Sequence, residues 1–155
     1  MRLIFKQRFF SWYDSYDVYD EFGNTVFTVQ GQFAWGKKLQ INDALGSPVG
    51  VVQQKVFSFM PTFELYRGEN YVGSIRKEFT FFRPAFHIDC NGWWIEGDWM
   101  EWDYAIYEPS GSLAATVSKE FGWTDQYVID VADGVDAVVA LMVVIAIDGE
   151  KDNRD

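Results

Sequence analysis

The segment from Ala137 to Ile147, AVVALMVVIAI, is apolar at all eleven positions and is bounded by Asp136 and Asp148. No other stretch constrains the fold as tightly. As a helix it spans roughly 16 Å, about half of a bilayer's hydrocarbon core, which is too short to cross one. As a strand it would be unusually long. Ala137, Ala140, Leu141 and Met142 favour helix, whereas the many Val and Ile lean towards strand. Asp133 or Asp136 suits the N-cap, where an acid also complements the helix dipole. A helix with no polar face must be enclosed on every side. The expectation is a buried core helix, and the remainder of the chain has to build its enclosure.

That remainder reads as strands. With 155 residues the chain is one domain by default, large enough for a core without disulfides. Its 14 Phe, 8 Tyr and 7 Trp favour β structure over a helical bundle. Short segments at 3–9, 16–20, 25–30, 38–42, 49–55, 63–67, 71–77, 86–89, 93–98, 103–107, 113–119 and 127–131 carry strand character. Turn chemistry separates them, as in EFGN at 21–24, DALGSP at 43–48, RGEN at 67–70 and EPSG at 108–111. A dozen strands at this spacing indicate a sandwich or barrel, and a twelve-stranded barrel is wide enough to take a helix as its filling. The expected domain is 1–148, with 149–155 a frayed polar tail.

Internal similarity supports an assembly of related hairpins. At an offset of 23, GVVQQKVFSFMPTFEL (50–65) aligns without gaps with GSIRKEFTFFRPAFHI (73–88). SKEFGWTDQYVID (118–130) resembles RKEFTFFRPAFHID (76–89), and VQGQFAW (29–35) resembles IEGDWMEW (95–102). Together with WWIEGDWMEWDYAIY and the closing DAVVALMVVIAID, these segments resemble the LURP-one-related family, its bacterial members in particular. The resemblance covers roughly residues 3 to 148. It implies the fold shared with Tubby C-terminal domains and phospholipid scramblases, a closed twelve-stranded antiparallel barrel around a C-terminal hydrophobic helix. It carries no activity with it.

The formal charge of −10 and sequence pI near 4.5 speak against nucleic acid and anionic membrane surfaces as partners. The resemblance to Tubby domains raises phosphoinositide binding through clustered Lys and Arg. Here the basic residues are scattered along the chain, with only Lys37-Lys38 and Arg76-Lys77 adjacent. Scramblases carry an acidic segment linked to calcium, and the corresponding DQYVIDVADGVD offers Asp125, Asp130, Asp133 and Asp136. Calcium takes about six to eight oxygens, usually several from one tight loop, and this spacing matches no EF-hand. Asp125, Asp130 and Asp133 are therefore weak metal candidates, and no other cofactor is indicated. The lone Cys90 fits a reducing compartment, and the charged residues in MRLIFKQRFF interrupt any signal-peptide core, so the cytoplasm is the default address.

Catalytic motifs are sparse. The single His87 and single Cys90 are three residues apart near a strand end, which points their side chains to opposite faces. Glu96, Asp98, Glu101 and Asp103 interleave with Trp93, Trp94, Trp99 and Trp102, a pairing of acids and aromatics that could act on a glycan. A hairpin with outward acids and inward tryptophans explains it without catalysis. The sequence thus points to a non-catalytic module binding a protein or lipid partner through the barrel surface. The alternatives are a phospholipid- or small-ligand-handling protein and, remotely, a glycan-active enzyme.

Overall fold

The computed structural model describes residues 1–6, 15–32, 34–78, 85–123 and 125–152. Twelve strands are present: β1 (Arg2–Phe5), β2 (Ser15–Tyr19), β3 (Thr25–Gln32), β4 (Lys38–Asp43), β5 (Pro48–Gln54) and β6 (Thr62–Arg67). They continue with β7 (Asn70–Glu78), β8 (Ala85–Asp89), β9 (Trp94–Asp98), β10 (Asp103–Tyr107), β11 (Leu113–Glu120) and β12 (Gln126–Val131). A single helix, α1 (Ala137–Asp152), ends the described chain. Each strand expected from the sequence has its counterpart within a residue or two, although residues 7–9 of the first lie outside the described residues.

The strands form one antiparallel sheet in the order β8-β7-β6-β5-β4-β3-β2-β1-β12-β11-β10-β9, curled into a nearly closed barrel. The first strand pairs with the last in mid-sheet, with Leu3 opposite Ile129 and Phe5 opposite Tyr127. The longer internal similarities map onto hairpins, 50–65 onto β5–β6, 73–88 onto β7–β8 and 118–130 onto β11–β12, whereas 29–35 and 95–102 each cover one strand end and the turn after it.

Full closure is the point that needs correction. Strands β8 and β9 are the two edges, and no backbone ladder joins them among the described residues. Bulky side chains meet there instead: Phe86 of β8 packs edge-on against Trp99, just past β9, with ring centroids 4.4 Å apart. Rings in the seam hold the two edges where a ladder would otherwise form.

Inward positions follow the two-residue period of a strand. Leu39 and Ile41, Phe63 and Leu65, Tyr104 and Ile106, and Tyr127 and Ile129 are all buried. Helix α1 is buried through Val138–Ile147 and packs on β5, β6 and β7 as well as on β11 and β12. It touches both arms of the sheet. Gly50 makes room for it, since a Cβ at that position would lie 3.0 Å from both Met142 Sδ and Val138 Cγ1. Asp136 is the N-cap, its Oδ1 accepting from Val138 N at 2.9 Å. The C-terminal boundary differs from expectation. Asp148 does not close the helix but is buried within it, and α1 runs on to Asp152, so residues 149–152 belong to the helix. Residues 153–155 lie outside the described residues.

Candidate functional site

Because every neighbouring pair of strands is antiparallel, the loops alternate between two ends of the barrel. At the near end, where α1 begins, lie the β2–β3, β4–β5, β6–β7, β8–β9 and β10–β11 turns. At the far end lie the β3–β4, β5–β6, β9–β10 and β11–β12 connections. The far end carries the surface of interest. Trp35 on the β3–β4 turn, Phe57 and Phe59 on the β5–β6 loop, and Phe121 and Trp123 on the β11–β12 turn are all at least 83% exposed. At the near end only Phe22 among the described aromatics is comparably exposed.

These tips are built, not frayed. Lys37 N donates to Gln54 Oε1 at 3.1 Å and Gln54 N donates to the Lys37 carbonyl at 2.7 Å, tying the β3–β4 turn to the end of β5. In the β5–β6 loop, Ser58 Oγ and Thr62 Oγ1 both donate to the Met60 carbonyl, at 2.6 and 2.9 Å. These inward hydroxyls satisfy the loop from within and leave Phe57 and Phe59 outside. Lys77 N reaches the Pro61 carbonyl at 3.1 Å, anchoring the same loop to β7. On the third hairpin the Lys119 ammonium lies 5.2 Å from the Phe121 ring and 3.4 Å from Asp125 Oδ2.

The topology also sorts the charges. Lys37, Lys38, Lys55, Arg76, Lys77 and Lys119, separated along the chain, all stand at far-end positions. The near-end loops instead hold Asp20, Glu21, Asp43, Glu69, Glu108 and Asp133. The arginines on the near half are already engaged: Arg2 Nε with Asp130 at 2.8 Å and Arg67 Nε with Asp136 at 2.9 Å. The far end also carries Glu78, Asp98, Glu101, Asp103, Glu120 and Asp125, so it is mixed in charge with its cations gathered in the β3–β7 sector, whereas the near end is acidic.

The metal candidates do not converge. Asp125 and Asp130 stand at or beside opposite ends of β12, about 16 Å apart at the strand rise. Each has a cationic partner, Lys119 and Arg2 respectively. Asp133 is exposed in the β12–α1 turn. Among the described residues no three His, Cys, Asp or Glu come close enough to share an ion. His87 is exposed beside Glu78, 3.7 Å from Nδ1 to Oε1, while Cys90 is buried. Burial, helped by the charge of Asp89, pushes the Cys90 thiol up to about 11, the reverse of an activated nucleophile.

Of the acid–tryptophan run, Trp93, Trp99 and Trp102 are buried and Trp94 is outside, stacked on Tyr107 at 4.6 Å. Glu96, Asp98, Glu101 and Asp103 are exposed, and Asp98 caps the short 3-10 turn Trp99–Glu101 by accepting from Met100 N and Glu101 N. A groove of about 440 Å³ runs along the seam between Phe86–Asp89 and Gly92–Ile95, and none of the four acids lines it.

The exposed aromatics were not singled out in the sequence, yet a signal exists. Trp35, the Phe57-Ser58-Phe59 triplet and the Phe121-Gly122-Trp123 triplet fall in the links between strand segments, where nothing obliges an apolar side chain to be buried.

The family model described as LURP-one-related matches residues 1–148. The uncharacterized protein YxjI of Bacillus subtilis (strain 168) is 28% identical over 149 residues, covering 96% of this chain and 92% of that one. An X-ray structure of a protein from Arabidopsis thaliana has the same fold, with a TM-score of 0.67 at 19% identity over 99% of this chain and 91% of that one. No helix among the described residues is long and apolar enough to cross a membrane. By a match that runs from its first residue to the end of its buried helical segment, this chain belongs to the LURP-one-related family.

Proposed function

We propose that this chain is a non-catalytic interaction module that meets its partner through the hairpin tips at the far end of the barrel. In this reading α1 lies along the barrel axis as a rigid support, which its burial on every face and its packing on both arms of the sheet favour. The observation that carries the reading is the set of five aromatic side chains, raised into solvent from three separate hairpins at one end. Exposed aromatic surface costs solubility and is characteristic of contact sites, where a few anchoring residues, Trp prominent among them, dominate the binding energy. Hydrogen-bonded β3–β4 and β5–β6 links hold the backbone beneath Trp35, Phe57 and Phe59 before contact, which lowers the ordering required on binding. The buried, unreactive Cys90 and the exposed His87, which lies beside Glu78 and away from the thiol, favour binding over nucleophilic chemistry.

A photo-cross-linking side chain placed at Phe57 and, in a separate variant, at Phe22 tests this in living cells. Adducts of any class formed from position 57 and not from position 22 are the expected result. Equal labelling from both ends, or none from position 57, would overturn the proposed surface.

A further inference from the structure

We infer that the occupant of the far end is the surface of an anionic lipid bilayer, with the hairpin tips entering the headgroup layer. This rests on the docking surface proposed above and names its partner. Charge complementarity is the first argument. As a point charge of −10 the protein would be repelled by such a surface, but its charges are sorted along the barrel axis. Strand β7, nine residues long, spans about 30 Å, whereas the field of an exposed charge decays over about 8 Å at physiological salt. In the β3–β7 sector a bilayer at the far end therefore meets Lys37, Lys38, Lys55, Arg76 and Lys77 against Glu78, and the near-end acids lie several screening lengths away.

The shape of the patch is the second argument. The β3–β4 and β5–β6 tips are adjacent in the sheet, while the β11–β12 tip stands about half the sheet order away. Aromatics on opposite sides of the barrel mouth suit a broad planar surface better than one compact pocket, and Trp favours the headgroup level in particular. The acidic side of this rim is the β9–β12 sector, with Asp98, Glu101 and Asp103 at the β9–β10 turn and Glu120 and Asp125 at the β11–β12 turn, Asp125 paired with Lys119. It tilts the contact towards the β3–β7 sector, so Phe57 and Phe59 insert more deeply than Phe121 and Trp123.

Co-sedimentation of the full chain with phosphatidylcholine vesicles, with and without phosphatidylglycerol, is the test. Binding to the anionic vesicles at low salt, weakened by high salt, is expected. The double substitution Phe57→Ser with Phe59→Ser should lower partitioning by about tenfold or more, and Lys37→Glu with Lys55→Glu by a similar factor. Phe22→Ser with Leu45→Ser at the near end should leave it unchanged. Thermal melts of each variant confirm that the fold persists, as expected for side chains this exposed. Absence of binding to anionic vesicles, equal binding to neutral ones, or indifference to the far-end substitutions would overturn the inference. A discrete protein adduct from position 57 without vesicle binding would sink the bilayer while leaving the docking surface standing.

Discussion

Arg67 and Asp136, 69 residues apart, join the sheet to the start of α1: Arg67 Nε donates to Asp136 Oδ2 at 2.9 Å while Arg67 Nη1 donates to the Val49 carbonyl. The same carboxylate caps the helix through Val138 N. Both side chains are partly exposed, so the ion pair itself contributes less than about 1 kcal/mol and the cap about as much or more. Asp136→Ala should cost about 1–2 kcal/mol in urea unfolding. Asp136→Ser, which restores the cap without the charge, should recover most of that loss.

Removing the helix should be far worse than loosening its start. A chain ending at Gly134 leaves the inward faces of the sheet wet, and the expected outcome is insoluble protein on expression. Val144→Asp places a charge at a fully buried position and should behave almost as badly. Leu141→Ala, which only empties space, should remain folded at a cost of about 2–5 kcal/mol. A soluble, cooperatively melting truncation would contradict this.

Two glycines separate crowding that can relax from crowding that cannot. At Gly50 an added methyl would press on Met142 and Val138, both side chains, so Gly50→Ala should cost about 1–3 kcal/mol in chemical unfolding. At Gly73 it would lie 2.2 Å from the Asp89 carbonyl oxygen, and backbone paired in a sheet cannot step aside. Gly73→Ala should therefore yield little folded protein under the conditions in which Gly50→Ala is recovered.

Alkaline pH should destabilise the fold in a defined window. The thiol of Cys90 rises from 9.0 to about 11 because burial disfavours the thiolate. Its neutral form is the one the folded state accepts, so this contribution is complete below pH 9 and is lost as pH rises towards 11. Burial first, and the charge of Asp148 second, also raise the Tyr16 and Tyr104 hydroxyls well above 10, with the same sign. Melting temperature should fall steadily between pH 9 and 11. At pH 8 only about a thousandth of Cys90 is thiolate, so alkylation of native protein by iodoacetamide should be very slow and should accelerate on unfolding.

How much of this was legible beforehand depended on whether local pattern or long-range placement decided it. Strand positions such as Leu39-Gln40-Ile41-Asn42 alternate because one face is inside, and that period survives in the linear text. The unbroken run Ala137–Ile147 likewise states its own burial. Asp148 misled because an acid normally marks a boundary, whereas here it is enclosed with Tyr16 and Tyr104 close enough to sense its charge. The unclosed seam was hidden because Phe86 and Trp99 meet through side-chain packing that leaves no periodic mark. The far-end cluster of exposed aromatics and lysines was invisible for a different reason. Lys37, Lys55 and Lys119 share an end only because antiparallel neighbours send alternate loops the same way, a property of topology and not of spacing.

The pairing of β1 with β12 bears on how the molecule is made. Arg2 waits for Asp130, 128 residues later, so a ribosome must deliver all of the intervening strands before the two halves of the sheet can zip together. Until then each emerging hairpin displays an unshielded greasy side, and the helix that will cover it is translated only after all twelve strands. Slow maturation governed by distant contacts, with nascent chains vulnerable to clumping, is the consequence of joining first and last strands at mid-sheet.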